Sequence, residues 1–322
     1  MPVYNVESYV KNSIQSVLNQ TFKDLELIII NDGSTDNSLD VCKSATKNDS
    51  RARIISQSNK GLSAARNTGL SAARGTYIYF FDSDDLLNLC LIDTVINHFY
   101  CSNDIDAVVF GNTTFETTGI PLNHTPIPFD VPTKITAKDG LKLIMQKKLP
   151  ITSWSFVIKR KIFSQNSILF PVGKLYEDVF TTGKIYNLCN SILVLPLADE
   201  NPWYWYRIRK NSIMFATETN WSEKNAFDYF QAYTSFFNLT LGVVSDKVRN
   251  EWLLNNYLYV TINSYSSLSK KEWKEVVTVI DSSPINTLRF SNFKLKLKKT
   301  ILTSRWKIYT LKKIMRFLKK NE

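Results

Sequence analysis

A chain of 322 residues, 44% hydrophobic and 21% charged, is long enough for one large domain or for a catalytic domain with an appendage, and this balance argues against disorder. Only two histidines (His98 and His124) and four cysteines without Cys-x-x-Cys spacing leave a zinc site and a histidine-based triad poorly supplied; no apolar run approaches a membrane span, and the scattered thiols point to the cytoplasm. The net charge of +11 resides in residues 289–322, which carry 12 Lys/Arg and one acid, whereas the first 288 residues carry 28 charges of each sign.

Met1-Pro2-Val3-Tyr4-Asn5 opens the chain with no strand ahead of the proline, and residues 7–20 then show helical spacing. Leu25–Ile30 reads as an interior strand because Leu27-Ile28-Ile29-Ile30 has no polar alternation. It ends in the turn-rich Asn31-Asp32-Gly33-Ser34-Thr35-Asp36, followed by a helix through residue 46. Arg53–Ser56 is a short strand, and Leu62–Ala73 is a small-residue helix carrying Arg66 and Asn67. Thr76–Phe81 is a β-prone, uncharged strand that runs straight into Asp82-Ser83-Asp84-Asp85. A helix near 89–101 and a strand at Ala107–Phe110 follow, then a Thr/Pro-rich loop or β-excursion over 116–136 and a helix near 138–147. Beyond these come Trp154–Ile158, a helix opening at Glu177-Asp178, a strand at Ile192–Leu197 and an aromatic strand, Trp203 to Arg207. From about 219 onward the pattern is helical, so a domain change is expected near 215, separating 1–215 from a helical region over 216–322.

Strand–helix alternation with short loops argues for an α/β fold with a mostly parallel central sheet flanked by helices. Ligands of such sheets bind outside the carboxyl ends of the strands, which puts Asp32 and the Asp82–Asp85 cluster at one edge. Three carboxylates within four positions repel one another and desolvate poorly. A hard divalent cation that prefers oxygen ligands and arrives with substrate phosphates accounts for them; a helix N-cap accounts for one of them. On residue types alone Asp32 also fits an Asx-turn, Glu177-Asp178 an ordinary helix start, Arg66 a surface cation, and Trp154 and Trp203–Tyr206 core packing.

Pro2-Val3-Tyr4-Asn5, Asn31-Asp32-Gly33-Ser34-Thr35-Asp36, Gly61-x-x-x-Ala65-Arg66-Asn67-x-Gly69, Asp82-Ser83-Asp84-Asp85 and Glu177-Asp178 occur in the order seen in family 2 glycosyltransferases. Over roughly residues 1–215 the chain resembles a bacterial, non-processive member with the GT-A nucleotide-diphospho-sugar transferase fold. The resemblance implies an inverting, metal-dependent transferase. It would move one sugar from a nucleotide-sugar, UDP-linked at the level of the family, to a hydroxyl of a cell-surface polysaccharide or lipid-linked glycan acceptor. It further implies that Asp84, with Asp82, holds Mn²⁺ or Mg²⁺, and that Pro2, Tyr4, Asp32, Arg66 and Asp82 hold the nucleotide. Asp178 would be the catalytic base with Glu177 beside it, while Asp85, Trp154, Arg207 and Arg209 would face the acceptor or the diphosphate.

Two departures stand out. Family members carry a strand immediately before Pro-x-Tyr-Asn; its omission here is expected to expose two ladders, destabilise the sheet severely, and mark a misplaced or trimmed start. Relatives often carry an Asn-Lys pair after the Trp where this chain has Trp154-Ser155-Phe156, which leaves the acceptor side unassigned. Leu297, Ile301, Ser304, Ile308, Leu311, Met315 and Leu318 form a helical stripe with basic residues mostly off it, so 294–320 suits peripheral contact with an anionic membrane face. Leu302-Thr303-Ser304-Arg305-Trp306 lacks the Gln of the processive Gln-x-x-Arg-Trp motif. A neutral body without a recognised motif argues against nucleic acid. The competing reading is a catalytically silent protein of the same fold that binds nucleotide or membrane.

Overall fold

The computed structural model describes residues 1–288 except 117–120, 125–126, 197–201, 210–211, 213–220, 265–266 and 287. The basic stripe of the tail and the expected boundary at 215 therefore lie outside the described residues. The chain divides into two compact units, Met1–Ile208 and Arg209–Glu322.

The first unit is built on β2 (Leu27–Asp32), buried along its whole length. It lies parallel between β1 (Pro2–Val3) and β3 (Ala52–Gln57). The uninterrupted apolar run has a direct cause, since both faces of β2 are covered. Leu27 and Ile29 join the large core with Val10, Ile14 and Val17 of α1 (Val10–Leu18) and with Cys42 of α2 (Ser38–Thr46). Ile28 and Ile30 point the other way, onto Ala65 of α3 (Leu62–Ala72). The small residues of α3 let it sit close to the sheet: a Cβ at Gly69 would lie 3.5 Å from Ile30. Parallel register pairs Asp32 with Gln57 at the carboxyl ends of both strands.

A second sheet has the order β4 (Tyr77–Tyr79), β10 (Phe156–Lys159), β6 (Ile105–Val109), β11 (Ser191–Val194), β9 (Thr133–Thr136). A third runs β5 (Leu86–Leu87), β12 (Tyr204–Arg207), β7 (Thr113–Phe115), β8 (Pro121–His124). The pairing is more mixed than the alternation of elements suggests. β10 runs antiparallel to both β4 and β6, and β9, β5 and β8 are antiparallel additions. Hydrophobic periodicity reports that a strand is buried and is blind to its direction. The Thr76–Phe81 strand pairs only over Tyr77–Tyr79; Phe80 and Phe81 are buried beyond it and lead into the Asp82 turn. Helices α4 (Leu91–Cys101), α5 (Ala137–Met145), α6 (Lys161–Asn166) and α7 (Glu177–Leu188) complete this unit.

Between β2 and β4 lies a cleft of about 370 Å³, walled by Met1, Ile28 and Ile30 on one side and by Tyr77 through Phe81 on the other. Among the described residues β1 and β4 are each the terminal strand of their sheet, so each has one paired edge. The Met1 α-amine donates to the Ile28 carbonyl at 2.9 Å, and the Ile30 N–H donates to the Met1 carbonyl at 2.9 Å, continuing the ladder of β1 into the cleft.

The second unit is helical over its described residues: α8 (Glu223–Leu239), α9 (Asp246–Ser264) and α10 (Lys270–Ser282). Ser222 caps α8, and Ser269 with Glu272 forms a capping box on α10. Aromatic side chains join the first two, with Tyr233 stacked on Tyr229 at 4.1 Å and on Trp252 at 5.0 Å.

Candidate active site

The site is assembled around the first half of α3. At its N-terminus the Asp32 carboxylate accepts the Gly61 N–H at 2.8 Å, the Lys60 N–H at 3.0 Å and the Gln57 side-chain amide at 2.7 Å. Gly33 turns the chain away at φ +71°, and a Cβ there would come within 2.7 Å of the Asn59 nitrogen, so a glycine is required. The loop after β1 is tied to the same turn. Asn5 accepts the Thr35 N–H at 2.8 Å, and the Ser38 hydroxyl accepts the Val6 N–H at 2.8 Å. These bonds hold Tyr4, 47% exposed, beside the Asp32 turn, while Pro2 is buried within β1.

Just over a turn along α3, Arg66 has a side chain only 1% exposed, and carboxylates from two distant parts of the chain meet it. One Nη donates to Glu177 Oε1 at 2.6 Å and to Asp178 Oδ1 at 3.1 Å; the other donates to Asp82 Oδ1 at 3.0 Å. The Phe170 ring lies 5.4 Å from its guanidinium carbon. A buried guanidinium is tolerable only when paired, and three acids make this one strongly cationic. The carboxylates respond in the opposite sense. Burial and the Asp178 charge push Glu177 up to about 7 against the pull of Arg66, and burial raises Asp178, also against Arg66. Both acids stand in the first turn of α7, after Tyr176 in a left-handed conformation at φ +59°.

The Asp82–Asp85 turn divides its carboxylates by direction. Asp82, with a side chain 24% exposed, meets Arg66. Asp85 is 1% exposed; the Tyr204 hydroxyl donates to its Oδ2 at 2.5 Å and the Arg207 N–H to its Oδ1 at 2.7 Å. Burial and the neighbouring Asp84 and Asp82 charges hold its carboxyl well above the usual range. Arg207 closes the turn from the other side, its Nε donating to the Asp84 carbonyl at 2.8 Å and its guanidinium lying over Tyr9 and Phe115. Trp154 is 6% exposed and stacks on Tyr204 at 4.3 Å, within the core. Arg209 falls in the second unit.

The structure thus joins Asp82, Arg66, Glu177 and Asp178 in one cluster and sets Asp32 with Tyr4 at the near end of the same helix. Asp85, Trp154 and Arg207 form a supporting layer beneath the turn. Sequence reasoning missed Gln57 and Tyr204, which bond Asp32 and Asp85, both buried; Gln57 stands opposite Asp32 in the parallel register, and no local signal existed for Tyr204. Replacing Asp85 by Ala leaves two buried donors without an acceptor, an expected loss of about 2–4 kcal/mol. A thermal melt checks it, at roughly 2–4 °C per kcal/mol for a unit of this size.

Among the described residues no group of three or more His, Cys, Asp or Glu side chains is placed to hold a metal ion. Asp82 and Asp84 offer hard oxygen donors in a short turn, a set that suits a cation completing its shell with substrate phosphates and water.

The family model described as Glycosyl transferase family 2 matches residues 1–166. Glycosyltransferase GlyA of Streptococcus pneumoniae is 31% identical over 242 residues, which span 70% of this chain and 32% of GlyA. EpsJ of Bacillus subtilis, an uncharacterized glycosyltransferase, is 31% identical over 244 residues, 74% of this chain and 68% of EpsJ. This chain thus spans about a third of GlyA and two thirds of EpsJ. Residues 1–349 of Staphylococcus aureus TarS, solved with UDP-GlcNAc, superpose with a TM-score of 0.73 at 18% identity, covering 97% of this chain and 90% of that one. The mannosyltransferase PcManGT of Pyrobaculum calidifontis, solved with GDP-Man and Mn²⁺, gives 0.52 at 13% identity, covering 96% and 84%. These likenesses establish the GT-A fold.

Proposed function

Because this chain belongs to glycosyl transferase family 2, we propose that it is an inverting, metal-dependent glycosyltransferase moving one sugar from a UDP-sugar to a hydroxyl of a polysaccharide or lipid-linked glycan. The observation that carries this reading is the meeting of Asp82, Glu177 and Asp178 on one buried arginine, one turn of α3 away from Asp32. Asp32 and Tyr4 sit where a nucleobase would be gripped, with the Asp32 carboxylate accepting a ring N–H and the exposed ring of Tyr4 beside it. Asp82 and Asp84 would hold Mn²⁺ or Mg²⁺, which when bound neutralises the departing diphosphate. Asp178 takes the proton of the acceptor hydroxyl as its oxygen forms the new bond to the anomeric carbon. The bond from that carbon to the diphosphate oxygen breaks on the opposite face, inverting the centre. Glu177 stands beside the base in the same turn and shares its cation.

The nucleotide assignment follows the UDP-GlcNAc of the TarS structure, and the metal follows the acid pair and the Mn²⁺ of PcManGT. No described helix is long and apolar enough to cross a membrane; peripheral contact through residues 294–320 remains part of the proposal on the pattern of the tail.

Calorimetry with UDP tests the donor side. Binding with Mn²⁺ present, weakened at least about tenfold by chelation or by Asp84→Ala, is the expected result. Equal affinity with and without the metal would remove Asp84 from its assigned role. Hydrolysis of UDP-GlcNAc then separates a transferase from a silent binder.

A further inference from the structure

α3 touches the base-bearing segment at two successive positions. Arg66 holds Glu177 and Asp178. Its neighbour Asn67 holds the start of the same segment in a two-way hydrogen bond, its Nδ2 donating to the Phe170 carbonyl at 2.8 Å and its Oδ1 accepting the Phe170 N–H at 2.9 Å. Phe170 is 1% exposed, meets the Phe80 ring edge-on at 4.9 Å and closes the guanidinium of Arg66 at 5.4 Å. Between these anchors the chain turns through Pro171 and Gly173, the latter at φ +77°.

The other contacts of α3 are fixed by packing. Ala65 and Gly69 seat it against Ile30 of β2, and the Gly61 N–H at its start bonds Asp32. At 1.5 Å per residue, Gly61 and Arg66 are separated by about 7.5 Å along the helix axis. One rigid element therefore touches both Asp32 and Asp178, and its arginine also reaches Asp82.

Resting on the transferase reading above, we propose that Arg66 and Asn67 are positioning residues that latch segment 170–178 to α3 and so fix Asp178 relative to the bound donor. Arg66 acts through carboxylates and not as a ligand of the nucleotide, because its side chain is buried and both terminal nitrogens are committed to acids. A misplacement of about 1 Å in a reacting group can lower a rate about a hundredfold without altering substrate contacts. The latch thus belongs to kcat and not to donor affinity.

The test uses the full chain with Asn67→Ala, which removes both Phe170 bonds without touching a charge, and Arg66→Lys, which keeps the charge but cannot span three acids. UDP-GlcNAc hydrolysis is read beside UDP–Mn²⁺ calorimetry and hydrogen exchange across 170–178. Expected are a fall in kcat of about 10–100-fold, a UDP dissociation constant within about threefold of the parent, and faster exchange confined to 170–178. Arg66→Lys that loses UDP affinity while keeping kcat would make Arg66 a nucleotide ligand and overturn the proposal. Unchanged exchange in Asn67→Ala would overturn it as well. If the parent protein hydrolyses no nucleotide-sugar, the transferase reading fails, and the exchange measurement still decides the latch.

Discussion

Asp178→Asn is expected to lower sugar transfer by about 10²–10⁴-fold, the range removed with a general base, while UDP–Mn²⁺ affinity stays within a few fold. The substitution preserves shape and leaves Arg66 bonded to Glu177 and Asp82, so a folding defect would not account for the loss. Retained turnover would end the assignment of Asp178 as the base. The same acids set a pH dependence. Burial and the Asp178 charge raise Glu177 to about 7, and burial with the Asp82 charge raises Asp178 as well, so the pair holds a proton at mildly acidic pH and the base is blocked. Transfer should therefore rise with pH through about 7, and Glu177→Gln, by removing a neighbouring charge, should move that limb to lower pH. Stability runs the other way. A carboxylate whose pKa is higher when folded binds its proton more tightly in the native state, so its contribution is full below 4.5 and is lost as pH rises toward about 7. Glu177→Gln should flatten that slope in denaturant melts taken across pH 4–8.

Filling the cleft between β2 and β4 should stabilise the first unit. A variant with about six alternating apolar residues fused ahead of Met1 would extend β1 by roughly 20 Å along Ile28 and past the free edge of β4. Burying three or four such side chains contributes about 1.5–3 kcal/mol each, and ordering the added backbone costs about 1–2 kcal/mol per residue. New ladder bonds on both sides tip this near-balance. A net gain of about 2 kcal/mol, or roughly 4–8 °C in the melting of this unit, is expected. An unchanged melting temperature would show that the cleft does not accept a strand.

The sequence by itself determined many of the elements and the family. Leu27–Ile30 reads as a strand covered on both faces, because four consecutive aliphatic residues leave no side for water. Asp32 and Asp82 both follow strands, which predicted one sheet edge for them; β2 and β4 instead lie in separate sheets, and α3 is the element that touches both acids. Five short motifs in order named the family. Tertiary structure alone decided what each charge does. Asp84 and Asp85 are adjacent in sequence, yet Asp85 is engaged by Tyr204 and Arg207 from about 120 residues away, and no local pattern encodes such a partner. On residue type alone Arg66 fits a surface cation, because exposed arginines are the rule on a helix; its burial depends on three acids, two of which lie 111 and 112 residues further along the chain. Likewise Pro2-Val3 read as part of a motif, while its pairing with β2 and the cleft between β2 and β4 arise only in the folded chain. Local periodicity carries burial, whereas ion pairing and strand neighbours are set by contacts between segments that meet only in the folded chain.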